Sequence, residues 1–162
     1  MKILVYGYGN PGRMDDGLGS ELVNALEQWA KENNMDNIEF DSNYQLNIED
    51  AYEISTKDIV IFVDASREDI DDFLLTKVDE NSKLSFTSHE ASPGYIYHLS
   101  NKLFNKSPKT FLLHIKGYKW DFQQGLSEKA KLNLNKAIAY MKIVLKNPYK
   151  ISNFKHNIII QN

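Results

Sequence analysis

The chain has 162 residues, of which 42% are hydrophobic and 25% are charged, a size and composition typical of a single globular domain. Its formal net charge of −3 gives no general attraction to nucleic acids or anionic membranes, so neither is expected as a partner. The sequence contains no cysteine, which excludes disulfides, thiolate metal sites and a cysteine nucleophile. Because there is no long apolar run and no signal-peptide pattern, we expect a cytoplasmic protein.

Apolar runs of strand length alternate with helical patterns along the chain. We predict strands at residues 3–6, 38–41, 58–64, 84–87 and 110–115, and helices at residues 18–34, 46–54, 93–104 and 127–146. This alternation is typical of the α/β class: a single-domain three-layer sandwich, in which a mostly parallel, twisted five-stranded sheet carries helices on both faces. In such sheets, functional sites form where loops leave the carboxyl ends of the strands.

The last predicted helix marks the end of the predicted domain. Ser127 is the expected N-cap of this helix, and Pro148 is expected to stop it. We therefore predict a domain at residues 1–147, followed by a C-terminal tail or edge strand at residues 148–162.

The first predicted strand leads into GYGNPG, which has the G-x-G-x-x-G form of a dinucleotide-binding loop. However, Asp15 and Asp16 follow at the start of the next helix, where they would repel a pyrophosphate by about 3 kcal/mol per charge pair. Asp41, the candidate ribose-binding acid, lies farther from Gly12 than the spacing of about 20 residues in the fingerprint. Nucleotide binding is therefore disfavoured.

The tetrapeptide GNPG also resembles the opening loop of peptidyl-tRNA hydrolases. That family places a catalytic histidine shortly after the loop, whereas this chain has no histidine before His89. The acidic balance of the chain also suits a tRNA substrate poorly. This second alternative is disfavoured as well.

Three residues form a candidate site at the predicted strand ends. Asp16 begins the first helix, Asp64 ends the most apolar strand, and His89 follows the strand at 84–87. Two carboxylates and one imidazole suit a borderline divalent metal such as nickel, zinc, cobalt or iron, and three protein ligands leave coordination positions open. Each residue alone also has a structural explanation: a helix cap for Asp15 or Asp16, a turn for Asp64 and a solvated loop for His89. His98, His114 and His156 are poorer candidates, because they fall in a predicted helix, a predicted strand and the tail.

The pattern resembles the hydrogenase maturation protease family, which trims the large subunit of nickel–iron hydrogenases. The resemblance covers most of the chain to about residue 145 and rests on five motifs in order: Gly7-x-Gly9-Asn10-Pro11, Asp15-Asp16-Gly17-x-Gly19, Val63-Asp64-Ala65, Thr87-Ser88-His89 and Ser92-Pro93-Gly94. Gly117 and Gly125-Leu126-Ser127 are a weaker match.

The resemblance implies an endopeptidase that removes the C-terminal extension of a large-subunit precursor after nickel insertion. It implies that Asp16, Asp64 and His89 contact the metal, with Asp16 and Asp64 also acting in catalysis. Nickel is expected to arrive with the substrate, and other divalent cations could replace it in vitro. Gly9, Asn10 and Asp15 are the expected substrate-binding residues, with the glycines letting the backbone approach the substrate. A metal-dependent binding or chaperone module without peptidase activity is the alternative.

Overall fold

The computed structural model describes residues 1–84 and 91–151 of the chain. Within these residues, five strands form one sheet in the spatial order 2-1-3-5-4. In chain order, they are β1 (Ile3–Tyr8), β2 (Ile38–Asn43), β3 (Ile59–Ser66), β4 (Phe73–Val78) and β5 (Lys109–Lys116). Strands β2, β1, β3 and β5 run parallel, and β4 pairs antiparallel with β5 at the edge.

The helices cover both faces of this sheet, which confirms the predicted three-layer α/β architecture. In chain order, they are α1 (Leu18–Glu32), α2 (Asp50–Ser55), α3 (Pro93–Phe104), α4 (Glu128–Lys146) and α5 (Pro148–Ile151), and a short 3-10 helix at Met14–Gly17 precedes α1. One core forms between the sheet and the α1 and α4 helices. A second, smaller core forms beneath α2 and α3. In the described part of the chain, no helix has the length and apolarity needed to cross a membrane.

The central strand β3 has a continuous apolar sequence because both of its faces are covered. Ile61 and Val63 pack into the core beneath α1 and α4, and Val60 and Phe62 pack into the core on the opposite face. All four side chains are almost completely buried, and burial of each stabilises the fold by about 1.5–3 kcal/mol. This packing fixes the end of β3, and therefore Asp64, at the carboxyl edge of the sheet.

Strand β4, at the edge of the sheet, was not predicted. The sequence analysis assigned no strand between residues 64 and 84, but β4 (Phe73–Val78) lies there and forms the antiparallel edge. The predicted strand at 84–87 is not part of the described sheet, because Leu84 has no strand structure and residues 85–87 lie outside the described residues.

The C-terminal helix begins as predicted, since the Ser127 hydroxyl accepts a hydrogen bond from the backbone N–H of Ala130 at 3.3 Å. Helix α4 ends at Lys146, and Pro148 then begins the short helix α5. Ile151, the last residue of α5, is completely buried in the core beneath α1 and α4. The packed domain therefore extends past residue 147 to at least Ile151, and residues 152–162 lie outside the described part of the chain.

Candidate active site

A cleft of about 490 Å³ opens at the carboxyl ends of β1 and β3. This is the edge at which a parallel sheet is expected to carry its functional site. Residues from five parts of the chain line the cleft: β1 and the loop after it with Asp16, the loop after β2, the end of β3 with the residues that follow it, Ala91 before α3, and β5 with the loop that follows it. The structure therefore brings Asp16 and Asp64 to the same cleft, although they lie 48 positions apart in the sequence.

The carboxylate of Asp16 is held by the loop that precedes it. Its Oδ2 atom accepts a hydrogen bond of 2.7 Å from the backbone N–H of Asn10. Asp16 lies in the 3-10 helix that leads into α1, so the N-terminal end of the helix dipole favours its negative charge. Asp16 is half-buried, which leaves it accessible from the cleft.

The conformation at position 9 requires a glycine. Its φ angle is +135°, and a Cβ atom at this position would lie 2.1 Å from the backbone oxygen of Asp16. The sequence analysis expected the glycines to make room for a substrate. At Gly9 the backbone passes close to Asp16 itself, while the residue also lines the cleft.

The side chain of Asn10 orders the same loop. Its Oδ1 atom accepts a hydrogen bond of 2.8 Å from the backbone N–H of Gly12, an arrangement in which an asparagine replaces a backbone turn. The backbone oxygen of Asn10 accepts a second bond from the N–H of Arg13. The side-chain oxygen of Asn10 thus stabilises the turn by accepting from Gly12, and the main-chain N–H of Asn10 donates to the carboxylate of Asp16.

Asp64 and His114 are neighbours across two parallel strands. They are paired in the register between β3 and β5, and both line the cleft. Asp64 is half-buried and lies two residues beyond Phe62 on the same strand. Because side chains alternate along a strand, Asp64 shares the face of Phe62, on the side covered by α2 and α3.

His89, the third predicted metal ligand, lies outside the described residues. Among residues 1–84 and 91–151, no group of three histidine, aspartate or glutamate side chains is arranged to hold a metal ion. The chain is described again from Ala91, which lines the cleft. Of the three predicted ligands, Asp16 and Asp64 are described, and both line the cleft.

Asp15 has a different role from the one predicted. The sequence analysis expected it to cap the first helix and to bind substrate, but neither the 3-10 helix nor α1 has a side-chain cap. Its side chain is completely buried. Its carboxylate accepts hydrogen bonds from the backbone N–H groups of Tyr118 (2.7 Å), Lys119 (2.9 Å) and Ser127 (2.7 Å) and from the Ser127 hydroxyl (2.7 Å). Asp15 therefore binds the loop between β5 and α4, and its enclosed carboxylate is not available to a substrate.

These hydrogen bonds keep Asp15 charged in the interior. Burial alone would raise the pKa of Asp15, but the bonds from Ser127, Lys119 and Tyr118 outweigh burial and hold the pKa below its ordinary value. The backbone of Gly117 also passes close to Asp15, because a Cβ atom added at Gly117 would lie 2.9 Å from the Cβ of Asp15. The loop at residues 117–127 is thus fastened to the glycine-rich loop and forms one wall of the cleft.

His114 is a cleft residue that the sequence analysis set aside. Its Nε2 atom lies 2.9 Å from the Thr76 hydroxyl of β4, and burial lowers the pKa of its ring, with an opposing contribution from Glu68. The two-residue spacing from Leu112 could have predicted this placement, because side chains two positions apart on a strand lie on the same face. His114 follows Leu112 by two residues, and both side chains line the cleft.

Two arginines that contact aromatic rings of the loop at residues 117–127 were also missed. Arg67 and Trp120 both line the cleft, and the Cζ atom of Arg67 lies 4.0 Å from the centroid of the Trp120 ring. The Cζ atom of Arg13 lies 4.7 Å from the centroid of Phe122, and its Nε donates to the backbone oxygen of Trp120 at 3.3 Å. No local sequence pattern connects these four residues, because the contacts depend on how the loop at 117–127 folds back onto the site.

Comparison with known proteins gives matches at the level of three-dimensional structure. No family model matches the sequence, and no curated protein matches it. The hydrogenase maturating endopeptidase HybD from E. coli superposes with a TM-score of 0.71 at 19% identity, covering 91% of this chain and 94% of that protein. The [NiFe] hydrogenase maturation protease HycI from Thermococcus kodakarensis superposes with a TM-score of 0.72 at 18% identity, covering 90% of this chain and 93% of that one.

A third solved structure agrees with these two. An endopeptidase from Escherichia coli superposes with a TM-score of 0.68 at 20% identity and covers 98% of this chain and 97% of its own. The chain therefore has the fold of the solved hydrogenase maturation endopeptidases over nearly its whole length. At these identities the similarity concerns the fold, and the residues of the cleft carry the functional argument.

Proposed function

We propose that this protein is a hydrogenase maturation protease: a cytoplasmic endopeptidase that removes the C-terminal extension of a nickel–iron hydrogenase large-subunit precursor. The observation that carries this proposal is the placement of Asp16 and Asp64, from two different strand ends, in one cleft. The shared fold with solved maturation endopeptidases supports it, as does the resemblance of the motifs that contain Asp16, Asp64 and His89.

The cleft is chemically suited to a metal that arrives with its substrate. Asp16 and Asp64 supply carboxylate oxygens, and His89 is the proposed nitrogen ligand. A nickel ion bound to the precursor would complete its coordination with these side chains. Binding that depends on the metal would then select the nickel-loaded precursor over the empty one.

Hydrolysis of a peptide bond needs a base that activates water and a group that stabilises the charge developing on the carbonyl oxygen. We assign the base to Asp16 first and to Asp64 second. The hydrogen bond from the N–H of Asn10 fixes one oxygen of Asp16, which leaves the other oxygen to accept a proton from the attacking water. Asp16 would then pass this proton to the nitrogen of the departing C-terminal fragment as the peptide bond breaks. The nickel ion of the substrate would supply Lewis acidity toward the scissile carbonyl.

Mass spectrometry of the precursor tests this proposal. The cognate large subunit is prepared with and without nickel, incubated with the protein, and its C-terminus is measured. We expect the nickel-loaded form to lose a C-terminal fragment and the nickel-free form to remain intact. Cleavage of neither form contradicts the peptidase assignment, and metal-dependent binding without cleavage would favour the alternative of a binding or chaperone module.

A further inference from the structure

Two guanidinium groups lie against the loop at residues 117–127, and one of them, that of Arg67, lines the cleft. Arg67 stacks on Trp120, and Arg13 stacks on Phe122. The two pairs are joined, because the Nε of Arg13 donates to the backbone oxygen of Trp120. Both arginines thus depend on one loop, and Asp15 holds that loop in place.

Neither arginine is neutralised by a carboxylate in the described part of the chain. The ion pairs formed there join Lys57 to Glu39, Lys131 to Glu128 and Lys136 to Asp72. Glu68 is adjacent to Arg67 in sequence, but no ion pair between them is present among these described residues. Arg67 is exposed and Arg13 is half-buried, so both charges stay in contact with water.

The contacts with aromatic rings restrict both arginine side chains. A guanidinium held over an aromatic ring still presents N–H donors that can form paired bonds to a carboxylate, although the Nε donor of Arg13 is already used by Trp120. The ring also restricts the side chain in advance, so less conformational entropy is lost when a ligand binds. Phe122 is 85% exposed, so Arg13 contacts a ring at the protein surface.

The charges around the cleft are arranged by sign. Asp16 and Asp64 line the cleft and repel an anionic side chain, while Arg67 lines the same cleft and attracts one. Arg13 adds a second positive charge on the loop at residues 117–127, through its contacts with Phe122 and Trp120. A peptide that carries both a metal-binding end and an acidic segment could therefore bind in one orientation only.

We propose that Arg67 and Arg13 bind carboxylate side chains in the C-terminal segment of the precursor and so contribute to substrate specificity. This inference rests on the proposed function, because it assumes that a peptide enters the cleft. It predicts that the segment around and beyond the cleaved bond contains at least one aspartate or glutamate. A cognate precursor with no acidic residue in its C-terminal segment contradicts the inference directly.

A double-mutant cycle on cleavage measures the interaction. The wild-type protein and the Arg67→Gln variant are each assayed on the natural nickel-loaded precursor and on one whose C-terminal acidic residues are changed to amides. On the natural precursor, we expect Arg67→Gln to raise KM about fivefold, as for a partly solvated charge pair, with kcat unchanged. On the neutralised precursor, the two proteins should have the same KM, and added salt should reduce the difference seen on the natural precursor.

Lys142→Gln is the matched control, since the Lys142 ammonium lies 6.0 Å from the centroid of the Trp29 ring and Lys142 does not line the cleft. It should leave KM unchanged on both precursors. If wild-type protein cleaves the natural precursor and Arg67→Gln has the same KM as the wild type on that precursor, the inference about the arginines is wrong and the proposed function stands. If wild-type protein cleaves no precursor, the proposed function fails and the arginine inference fails with it.

Discussion

Asp15 and Ser127 are joined by two hydrogen bonds of 2.7 Å, although 112 positions separate them in the sequence. One bond comes from the backbone N–H of Ser127 and the other from its hydroxyl, which also caps helix α4 through Ala130. A buried carboxylate next to Asp16 therefore connects the glycine-rich loop to the start of the last long helix. This connection fixes the wall of the cleft that carries Trp120.

Replacing Asp15 with asparagine should destabilise the fold. The amide has one acceptor oxygen and would turn its N–H₂ group toward a backbone donor, leaving a buried donor without a partner. We expect a loss of about 3 kcal/mol in the free energy of unfolding, measured with urea, and a melting temperature lower by about 6–12 °C. Asp121→Asn, at an exposed position in the same loop, should change the stability by less than about 0.5 kcal/mol. Equal stability of the two variants would contradict the role assigned to Asp15.

Two glycines with positive φ separate the effect of backbone strain from that of packing. Gly9 has a φ of +135° and no room for a Cβ, whereas Gly125 has a φ of +102° and no atom within 4 Å of a Cβ. Gly125→Ala should cost only the strain, about 1–3 kcal/mol. Gly9→Ala should cost more and should also lower precursor cleavage, because the added methyl group displaces the backbone of Asp16. Urea unfolding compares the stabilities of the two variants, and the cleavage assay compares their activities. Equal losses of stability and equal cleavage by Gly9→Ala and Gly125→Ala would contradict this account of Gly9.

The buried pair of Tyr6 and Asp50 should make stability depend on pH. The Tyr6 hydroxyl donates to Oδ2 of Asp50 at 3.0 Å, and the backbone N–H of Asn47 donates to the same oxygen at 2.8 Å. Burial raises the pKa of Asp50, and the nearby charges of Asp41 and Glu49 raise it further. The folded protein thus binds this proton more tightly than the unfolded chain, so the stability from Asp50 is greatest below the unfolded pKa of about 3.9 and is lost as pH rises through the folded pKa.

Asp50→Asn removes this titration. Between pH 4 and pH 8, the wild-type protein should therefore lose stability relative to Asp50→Asn, as measured by urea unfolding of both at each pH. Tyr6→Phe should strengthen the dependence, because the Tyr6 hydrogen bond lowers the pKa of Asp50. A stability difference between wild type and Asp50→Asn that is the same at every pH would show that Asp50 is not perturbed.

The sequence predicted the parts of the fold that depend on local pattern. The apolar run before Asp64 and the helical spacing after Gly17 identified β3 and α1, and Ser127 identified the start of α4. Strand β4 was missed because it is an edge strand with only one face in a core. Phe73 and Leu75 are buried, while Leu74 and Thr76 on the other face are half-buried. This short alternation follows a run of charged residues that favours a turn.

The sequence predicts the strand-end residues of the site but not the residues positioned by long-range contacts. Asp16 and Asp64 follow strands whose direction is set by the alternation of strands and helices, so their shared edge could be inferred. The role of Asp15 depends on donors from residues 118–127, and the position of Arg67 depends on Trp120. These contacts form only after the loop at 117–127 packs against the glycine-rich loop, and neither partner has a sequence pattern that identifies the other.

The central claim is that Asp16 and Asp64 form one catalytic site, and the most direct test is mass spectrometry of the nickel-loaded precursor after incubation with single variants. Asp16→Asn and Asp64→Asn should each leave the C-terminal extension attached while keeping the circular dichroism spectrum of the wild type. Asp36→Asn, at an exposed position that does not line the cleft, should cleave the precursor like the wild-type protein. Full cleavage by both Asp16→Asn and Asp64→Asn would contradict the account.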